Sequence, residues 1–261
     1  MNMQTDTQVL SYNLALHLGD NSIIMGHRLS EWTGHGPSLE QDIALTNMAL
    51  DLIGQARYFY QYAATIASDI EKKNITEDDL AYLRDAREFR NFLITEIPNG
   101  DWGKTILKLF LFSNWQLLAY EQLIKDGDPS LAAIAEKALK EIAYHVKWSS
   151  EWVIRLGDGT EESHERMQKA IEELWPYTGE MFELPQNENQ TELNRTCITV
   201  SNHYEVWKIK IKDVFEKATL TFPSEKIWMQ SGGKSGMHTE HLGYLLAEMQ
   251  FLQRAYPGCE W

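Results

Sequence analysis

The chain has 261 residues, of which 43% are hydrophobic and 24% are charged, and its formal net charge is −14 at pH 7. This charge argues against a nucleic-acid partner, because phosphates favour a positive protein surface. No run of about 18 apolar residues predicts a membrane span, and the first ten residues lack the basic start and apolar run of a signal peptide. Two cysteines, Cys197 and Cys259, are too few for a disulfide framework and indicate a reducing cytoplasm.

The spacing of apolar residues and prolines predicts about eight helices and no significant sheet. A first helical region covers residues 9–32, and the sequence Gly19-Asp20-Asn21 favours a break within it. The other predicted helices cover residues 38–66, 76–95, 102–125, 129–156, 160–177, 191–218 and 238–255. The polar stretch at 184–190 is the best linker candidate. Long helices joined by short turns predict a bundle of nearly antiparallel helices.

The predicted helix at 38–66 is the longest, and its apolar residues recur on one face. Ser38 is its predicted N-cap, with Gln41 placed to complete a capping box. Two polar residues disturb the pattern: Gln55 on the apolar stripe and Asp51 at its edge. The residues that share the stripe are Leu45, Met48, Leu52, Gln55, Phe59 and Ile66.

A weak internal repeat links this helix to the one predicted at 129–156. The two copies are DLIGQAR at 51–57 and EIAYHVK at 141–147. In each copy an acid is followed by an aliphatic residue, Gln or His stands at the fifth position, and a base stands at the seventh. A partner helix precedes each copy. Two matching helix pairs form the core of a ferritin-like bundle. We therefore predict an all-α, ferritin-like helical bundle with additional helices, as a single domain over residues 1–261.

A di-iron centre in such a bundle takes Glu-x-x-His from two helices and one carboxylate from each of the other two. At the Glu positions this chain has Leu52 and Ile142. At the His positions it has Gln55 and His145, while the acids Asp51 and Glu141 are each displaced by one residue. A one-residue shift turns a side chain about 100° around the helix. We therefore predict a degenerate centre that holds no metal.

Two interpretations of these polar residues remain open. In the first, Gln55 and His145 are polar core residues bonded by Asp51 and Glu141 across one turn, with Arg57, Lys147 or another base balancing the acids. In the second, Asp51, Glu141 and His145 bind a metal. Glu31 or Glu121 would complete that site.

The C-terminal run from Gly232 to Gly243 also contains reactive residue types. We predict a packed helix start that contacts the bundle or a partner, with Lys234, His238, Glu240 and His241 as contact candidates. His238 and His241 are three residues apart and would share a helical face. A weaker alternative is phosphate bound by the glycines and Lys234. The arginines at 84, 87 and 90 alternate with acids and predict a solvated, salt-bridged face.

Across nearly its whole length the chain resembles the C-type subunits of bacterial phenylacetyl-CoA epoxidases, multicomponent monooxygenases of phenylacetate breakdown. The similar blocks occur in the same order along the chain. They are Leu18-Gly19-Asp20-Asn21, Arg28-Leu29-Ser30-Glu31-Trp32, LDLIGQAR at 50–57, Pro98-Asn99-Gly100, Gly232-Gly233-Lys234, HTEHLG at 238–243 and LAEMQ at 246–250.

The resemblance implies a structural, non-catalytic subunit with no cofactor of its own. It would support a homologous catalytic A-type subunit, which holds the di-iron centre, beside other subunits that include a reductase. The 11% aromatic content also favours a partner, because aromatic residues are enriched at interfaces. One alternative is an autonomous di-iron oxygenase or iron-binding protein that uses Asp51, Glu141 and His145. Another is a helical scaffold unrelated to oxygenation.

Overall fold

The computed structural model describes residues 3–183, 200–224 and 227–259, and within these ranges it contains helices and no strand. The predicted all-α fold is therefore confirmed. We number the α-helices in chain order. They are α1 Met3–Ser30, α2 Leu39–Glu71, α3 Glu77–Tyr82, α4 Leu93–Glu96, α5 Trp102–Asp126, α6 Pro129–Gly157, α7 Glu161–Leu174, α8 Val200–Lys217, α9 Glu240–Met249 and α10 Phe251–Ala255. The linker candidate at 184–190 and the predicted helix start at 191 lie outside the described residues.

Four long helices form the centre of the bundle. Helix α1 packs along α2, α5 packs along α6, and α2 contacts α6, which joins the two pairs. Every residue of the stripe predicted on α2 is buried, from Leu45 to Ile66, so that prediction is confirmed. The core between the pairs is rich in aromatic side chains, with Phe59, Tyr60 and Tyr120 almost completely buried. No helix in the described ranges combines the length and apolar character that crossing a membrane requires.

Capping side chains fix several of the helix starts. Asp101 accepts a hydrogen bond from the Lys104 backbone N–H at the start of α5, and Asp128 accepts from Ser130 and Leu131 at the start of α6. The start of α2 is different: Ser38 is the N-cap residue, but its side chain makes no cap hydrogen bond. The predicted capping box with Gln41 is wrong. The Gln41 Oε1 instead accepts from the Trp152 indole at 3.0 Å, which ties α2 to α6.

Helix α1 runs without a break through Gly19, contrary to the prediction. The glycine is there because the Tyr60 ring of α2 lies against it. A Cβ on Gly19 would come within 2.7 Å of the Tyr60 Cε1. The absence of a side chain therefore lets α1 and α2 pack closely, and it does not mark a helix end.

The helix predicted at 76–95 is wrong, since this segment divides into α3, a 3₁₀ turn at Ala86–Glu88 and α4. The cause is Arg84, which is 8% exposed and lies in the bundle, not on a solvated face. Its guanidinium binds the fully buried carboxylate of Asp20 on α1, with one contact at 3.1 Å. The same carboxylate accepts from the Tyr60 hydroxyl at 2.6 Å and from the Arg90 backbone N–H at 2.7 Å. These bonds stabilise an irregular path that a continuous helix could not follow.

The last predicted helix is also interrupted. It begins at α9, with Thr239 as its N-cap, and Gln250 separates α9 from α10. The Gln250 side chain is buried and donates to the carbonyls of Ala81 and Arg84, at 3.1 and 3.0 Å. The C-terminal helices are thus attached to the same segment that the Asp20–Arg84 pair anchors.

Candidate functional site

Two hydrogen-bonded pairs of polar side chains cross between α2 and α6 at the positions of the internal repeat. Gln55 Nε2 donates to Glu141 Oε2 at 2.8 Å. His145 Nε2 lies 3.0 Å from Asp51 Oδ2. Gln55 is 3% exposed and His145 is completely buried, while the Asp51 side chain is 33% exposed. Each copy of the repeat therefore supplies the acid that bonds the amide or imidazole of the other copy.

This arrangement corrects the predicted pairing across one turn, because both bonds join different helices. The predicted charge balance by Arg57 is wrong as well. Arg57 is mostly exposed and lies 3.4 Å from Glu77, away from Asp51. Because Asp51 keeps a third of its surface in water, its carboxylate does not need a buried cation.

Helix α5 contributes two further polar residues to this cluster. The Gln55 Oε1 accepts from Gln116 Nε2 at 3.1 Å and from the Tyr120 hydroxyl at 3.2 Å. Gln116 also donates to the Tyr120 oxygen at 2.9 Å. Burial raises the pKa of Tyr120, so the phenol stays protonated and able to donate. Where the template has a histidine, this chain thus has Gln55, and the amide nitrogen and oxygen of Gln55 both bond other side chains.

The histidine that remains, His145, donates a hydrogen bond to Asp51. Because the facing Asp51 oxygen is an acceptor, Nε2 carries a proton. The other nitrogen, Nδ1, is buried and has no hydrogen-bond partner in the described part of the chain. A neutral His145 could offer an Nδ1 lone pair to a ligand, but the two Glu positions of the template hold Leu52 and Ile142.

The residues present do not fit the di-iron template. Leu52 and Ile142, at the two Glu positions, are both completely buried in the hydrophobic core. Within the described ranges no three His, Cys, Asp or Glu side chains come together as metal ligands. Glu31, which the metal interpretation needs, bonds Arg28 and Asn99, and Glu121 is exposed on α5. A metal-free chain stays a prediction, but the described residues supply no complete set of iron ligands.

The glycine-rich turn before α9 binds an anion that belongs to the chain. The Glu180 carboxylate accepts from the backbone N–H groups of Gly232 at 2.9 Å, Lys234 at 3.3 Å and Leu93 at 2.9 Å. Burial raises the Glu180 pKa, although these donors act against the shift. A Cβ on Gly233 would come within 2.2 Å of the Asn91 carbonyl oxygen. The phosphate alternative is therefore wrong, because Glu180 occupies the donors and close packing explains the glycine.

Glu96 binds the residues that lead directly into α9. It is completely buried, and its oxygens accept from the Thr239 backbone N–H at 2.6 Å and from Asn91 Nδ2 at 2.9 Å. His238 Nδ1 lies 2.8 Å from Glu96 Oε2, and His238 Nε2 lies 3.0 Å from the Phe89 carbonyl oxygen. His238 precedes the helix, so the predicted shared face with His241 is wrong.

The four contact candidates of this run differ in their surroundings. His238 is 4% exposed at its side chain and serves the bundle, so it is not available to a partner. Lys234 Nζ donates to the Glu183 carbonyl at 2.5 Å. Glu240 is exposed and His241 is half-buried at the start of α9, and their role as partner contacts stays a prediction.

We expect His238 to stabilise the fold most strongly at mildly acidic pH. Both ring nitrogens face acceptors, so the imidazolium satisfies both bonds, and Glu96 raises the His238 pKa despite burial. A raised folded-state pKa gives stability that is complete below about 6.5 and is lost as pH rises through the folded value. His238→Gln should therefore lower the unfolding free energy by about 2 kcal/mol at pH 6 and by clearly less at pH 9, in urea titrations. A loss that does not depend on pH would contradict the charged imidazolium.

A buried lysine that no sequence pattern predicted lies next to the turn at Pro98-Asn99-Gly100. Lys108 of α5 is completely buried, and its Nζ donates to the Ile97 carbonyl at 2.7 Å and to Asn99 Oδ1 at 2.9 Å. Burial lowers its pKa well below the ordinary value, and the nearby Arg28 charge adds to the shift. The signal in the sequence was indirect: Arg28 and Asn99 both lie in blocks that carried the family resemblance.

Comparison with known proteins agrees with that resemblance. The model of the PaaA_PaaC family, described as phenylacetic acid catabolic protein, matches residues 1–261. A protein from Escherichia coli K12, the C-type subunit of 1,2-phenylacetyl-CoA epoxidase, is 42% identical over 254 residues, which cover 97% of this chain and 99% of that protein. Both matches span the helices that carry the cluster between α2 and α6. The chain therefore belongs to the phenylacetic acid catabolic protein family.

Proposed function

We propose that this chain is the structural, non-catalytic subunit of a multicomponent di-iron monooxygenase that epoxidises phenylacetyl-CoA in phenylacetate catabolism. A homologous A-type subunit would hold the di-iron centre and carry out the chemistry. Other subunits, including a reductase, would supply its electrons. The low cysteine content of the chain agrees with a cytoplasmic location.

The observation that carries this proposal is the state of the repeat positions. Leu52 and Ile142 occupy the two template Glu positions and are buried in the core, and Gln55 occupies one of the two His positions. Asp51 and Glu141 are bonded to His145 and Gln55 across the α2–α6 contact. These hydrogen bonds between α2 and α6 stabilise the helix pair. Support for the pathway and for the partner comes from the 42% identical relative and its name.

In this proposal the polar cluster performs a structural task. Gln55 and Gln116 join α2 to α5, and the two crossed pairs join α2 to α6, so three long helices keep a fixed register. A subunit held in this way offers a rigid surface, and a preformed surface loses less entropy on binding. Support of the catalytic subunit would follow from that rigidity.

Co-expression with the catalytic A-type subunit tests the proposal. We expect one co-eluting species in size exclusion at micromolar protein, because obligate interfaces commonly bury more than about 2,000 Å² in total. We also expect phenylacetyl-CoA consumption by the complete assembly and none by this chain alone. Two independent peaks, or turnover by the isolated chain with a reductase, would contradict the proposal.

A further inference from the structure

The outward side of α2 carries large apolar side chains that the rest of the described chain leaves uncovered. Leu39 is 73% exposed, Ile43 51%, Leu50 62% and Tyr58 40%. Steps of three and four residues place such positions on one side of a helix. Tyr144 of α6, next to the cluster residue His145, is 50% exposed. We call this surface the α2 face, made of Leu39, Ile43, Asn47, Leu50, Gly54, Tyr58 and Tyr144.

The central part of the α2 face carries one charged side chain, Asp51, which is 33% exposed and lies 3.0 Å from His145. Between Ile43 and Gly54, the most exposed side chains are those of Ile43, Asn47 and Leu50. The chain as a whole has a net charge of −14, so an outward helix surface of this kind stands out from the remainder. Exposed apolar surface of this extent marks a protein interface more often than a solvated side.

Gly54 lies in the interior of this 33-residue helix, and nothing inside the described chain requires a glycine there. A Cβ on Gly54 would meet no atom within 4 Å. The glycines of α1 are different, because a Cβ on Gly19 or Gly26 would come within 2.7 or 3.0 Å of α2 side chains. Glycine weakens a helix interior relative to alanine. Close approach of a partner's backbone supplies the reason that the chain itself lacks.

The C-terminal end of the α2 face is held in place by α6. Lys137 Nζ lies 3.9 Å from the Tyr58 ring centroid and 2.5 Å from its hydroxyl oxygen. Further along, the Asp51–His145 pair fixes α6 beside Leu50. The two helices therefore present one surface whose shape is set before any partner binds.

The size of the α2 face indicates the kind of partner. From Leu39 to Tyr58 it extends roughly 28 Å, at about 1.5 Å per residue. One helix about 10 Å wide offers roughly 280 Å², and two adjacent helices offer roughly twice that area. A stable complex buries about 800 Å² on each partner, so the contact must cover both α2 and α6 and extend onto the surface next to them. This geometry fits another bundle of long helices better than a loop or a short peptide.

We propose that the α2 face is the surface on which the catalytic A-type subunit docks, with a long apolar helix of that subunit crossing α2 close to Gly54. This inference rests on the proposed function and specifies where the partner binds. The family model takes its name from both A-type and C-type chains, which supports a partner with long helices of the same kind. Leu50 and Tyr144, on either side of the α2–α6 seam, would be central contacts.

The test compares two arginine substitutions at open helical glycines. A Cβ would meet nothing within 4 Å at Gly54 of α2 and at Gly243 of α9. Both variants, Gly54→Arg and Gly243→Arg, should fold alone with unchanged circular dichroism and melting temperature. Gly54→Arg should weaken binding to the A-type subunit at least 10-fold in biolayer interferometry, whereas Gly243→Arg should bind like the wild type. Leu50→Asp serves as a second variant should Gly54→Arg fail to fold.

The outcomes separate this inference from the proposed function. Failure of the wild-type chain to bind the A-type subunit overturns both. Wild-type binding that Gly54→Arg and Leu50→Asp leave unchanged, or that Gly243→Arg weakens equally, overturns the α2 face alone. Light scattering shows whether a second copy of this chain occupies the α2 face. A wild-type homodimer that Gly54→Arg converts to a monomer, with hetero-complex affinity unchanged, would assign the face to a second copy and contradict our choice of partner.

Discussion

Asp20→Asn is expected to lower the unfolding free energy by about 3–5 kcal/mol, because it leaves a buried guanidinium without its counter-ion. Asp20 is completely buried and accepts from Arg84, from the Tyr60 hydroxyl and from the Arg90 backbone. Burial acts to lower the Arg84 pKa, but the Asp20 charge outweighs it and the net shift is upward. The variant removes this raising cause, but the ordinary pKa of arginine is so high that the guanidinium stays charged. Urea denaturation followed by circular dichroism measures the loss.

Two further variants make this result specific. Glu77→Gln breaks the exposed Arg57–Glu77 pair and should cost less than about 1 kcal/mol. Asp20→Asn combined with Arg84→Met removes the unpaired charge and should recover part of the loss, as expected when both partners of a buried pair are replaced. A loss below about 1 kcal/mol for Asp20→Asn alone would show that the pair does not anchor the segment between α3 and α4.

Leu52→Glu, which restores the acid of the di-iron template, should destabilise the isolated chain by roughly 2–4 kcal/mol. Leu52 is completely buried within the hydrophobic core. The new carboxyl group should therefore have a raised folded-state pKa, by up to about 3–5 units. Stability is then lost as pH rises from about 4.3 through the folded value, so the loss should be larger at pH 8.5 than at pH 6.

The neighbouring position gives the matched control. Leu50 lies on the same helix and is 62% exposed, so Leu50→Glu should change stability by less than about 0.5 kcal/mol at both pH values. Ferrous iron should stabilise neither variant. A nearly neutral Leu52→Glu substitution, or its clear stabilisation by iron, would mean that the centre of the bundle is a wet, metal-competent pocket.

The regular parts of the fold could be predicted from the sequence because local signals determine them. Asp101 and Asp128 mark helix starts that the structure confirms, and period-3.6 spacing correctly placed Leu52 and Gln55 on the buried face of α2. The two helix pairs of the core also follow from the pattern, since α1 packs along α2 and α5 packs along α6.

The failures have a common physical cause, which is bonding between residues far apart in the chain. Arg84 looked solvated beside its neighbouring acids, yet Asp20, 64 positions away, draws it into the core. Gln55 and His145 were paired with acids one turn away, but each bonds the acid of the other helix. Periodicity within one helix contains no information about the register between two helices, so the crossed pairs could be known only from the structure.

Iron content tests the central claim, that this chain is a structural subunit with a degenerate metal centre, most directly. The chain should be expressed alone and together with the A-type subunit, in iron-supplemented medium, and each purified species analysed by plasma mass spectrometry. We predict less than about 0.1 iron per isolated chain, and two irons per pair of A-type and C-type chains, which would belong to the A-type subunit. About two irons per isolated chain, lost on His145→Ala and Glu141→Gln substitution, would contradict the account and support an autonomous di-iron protein.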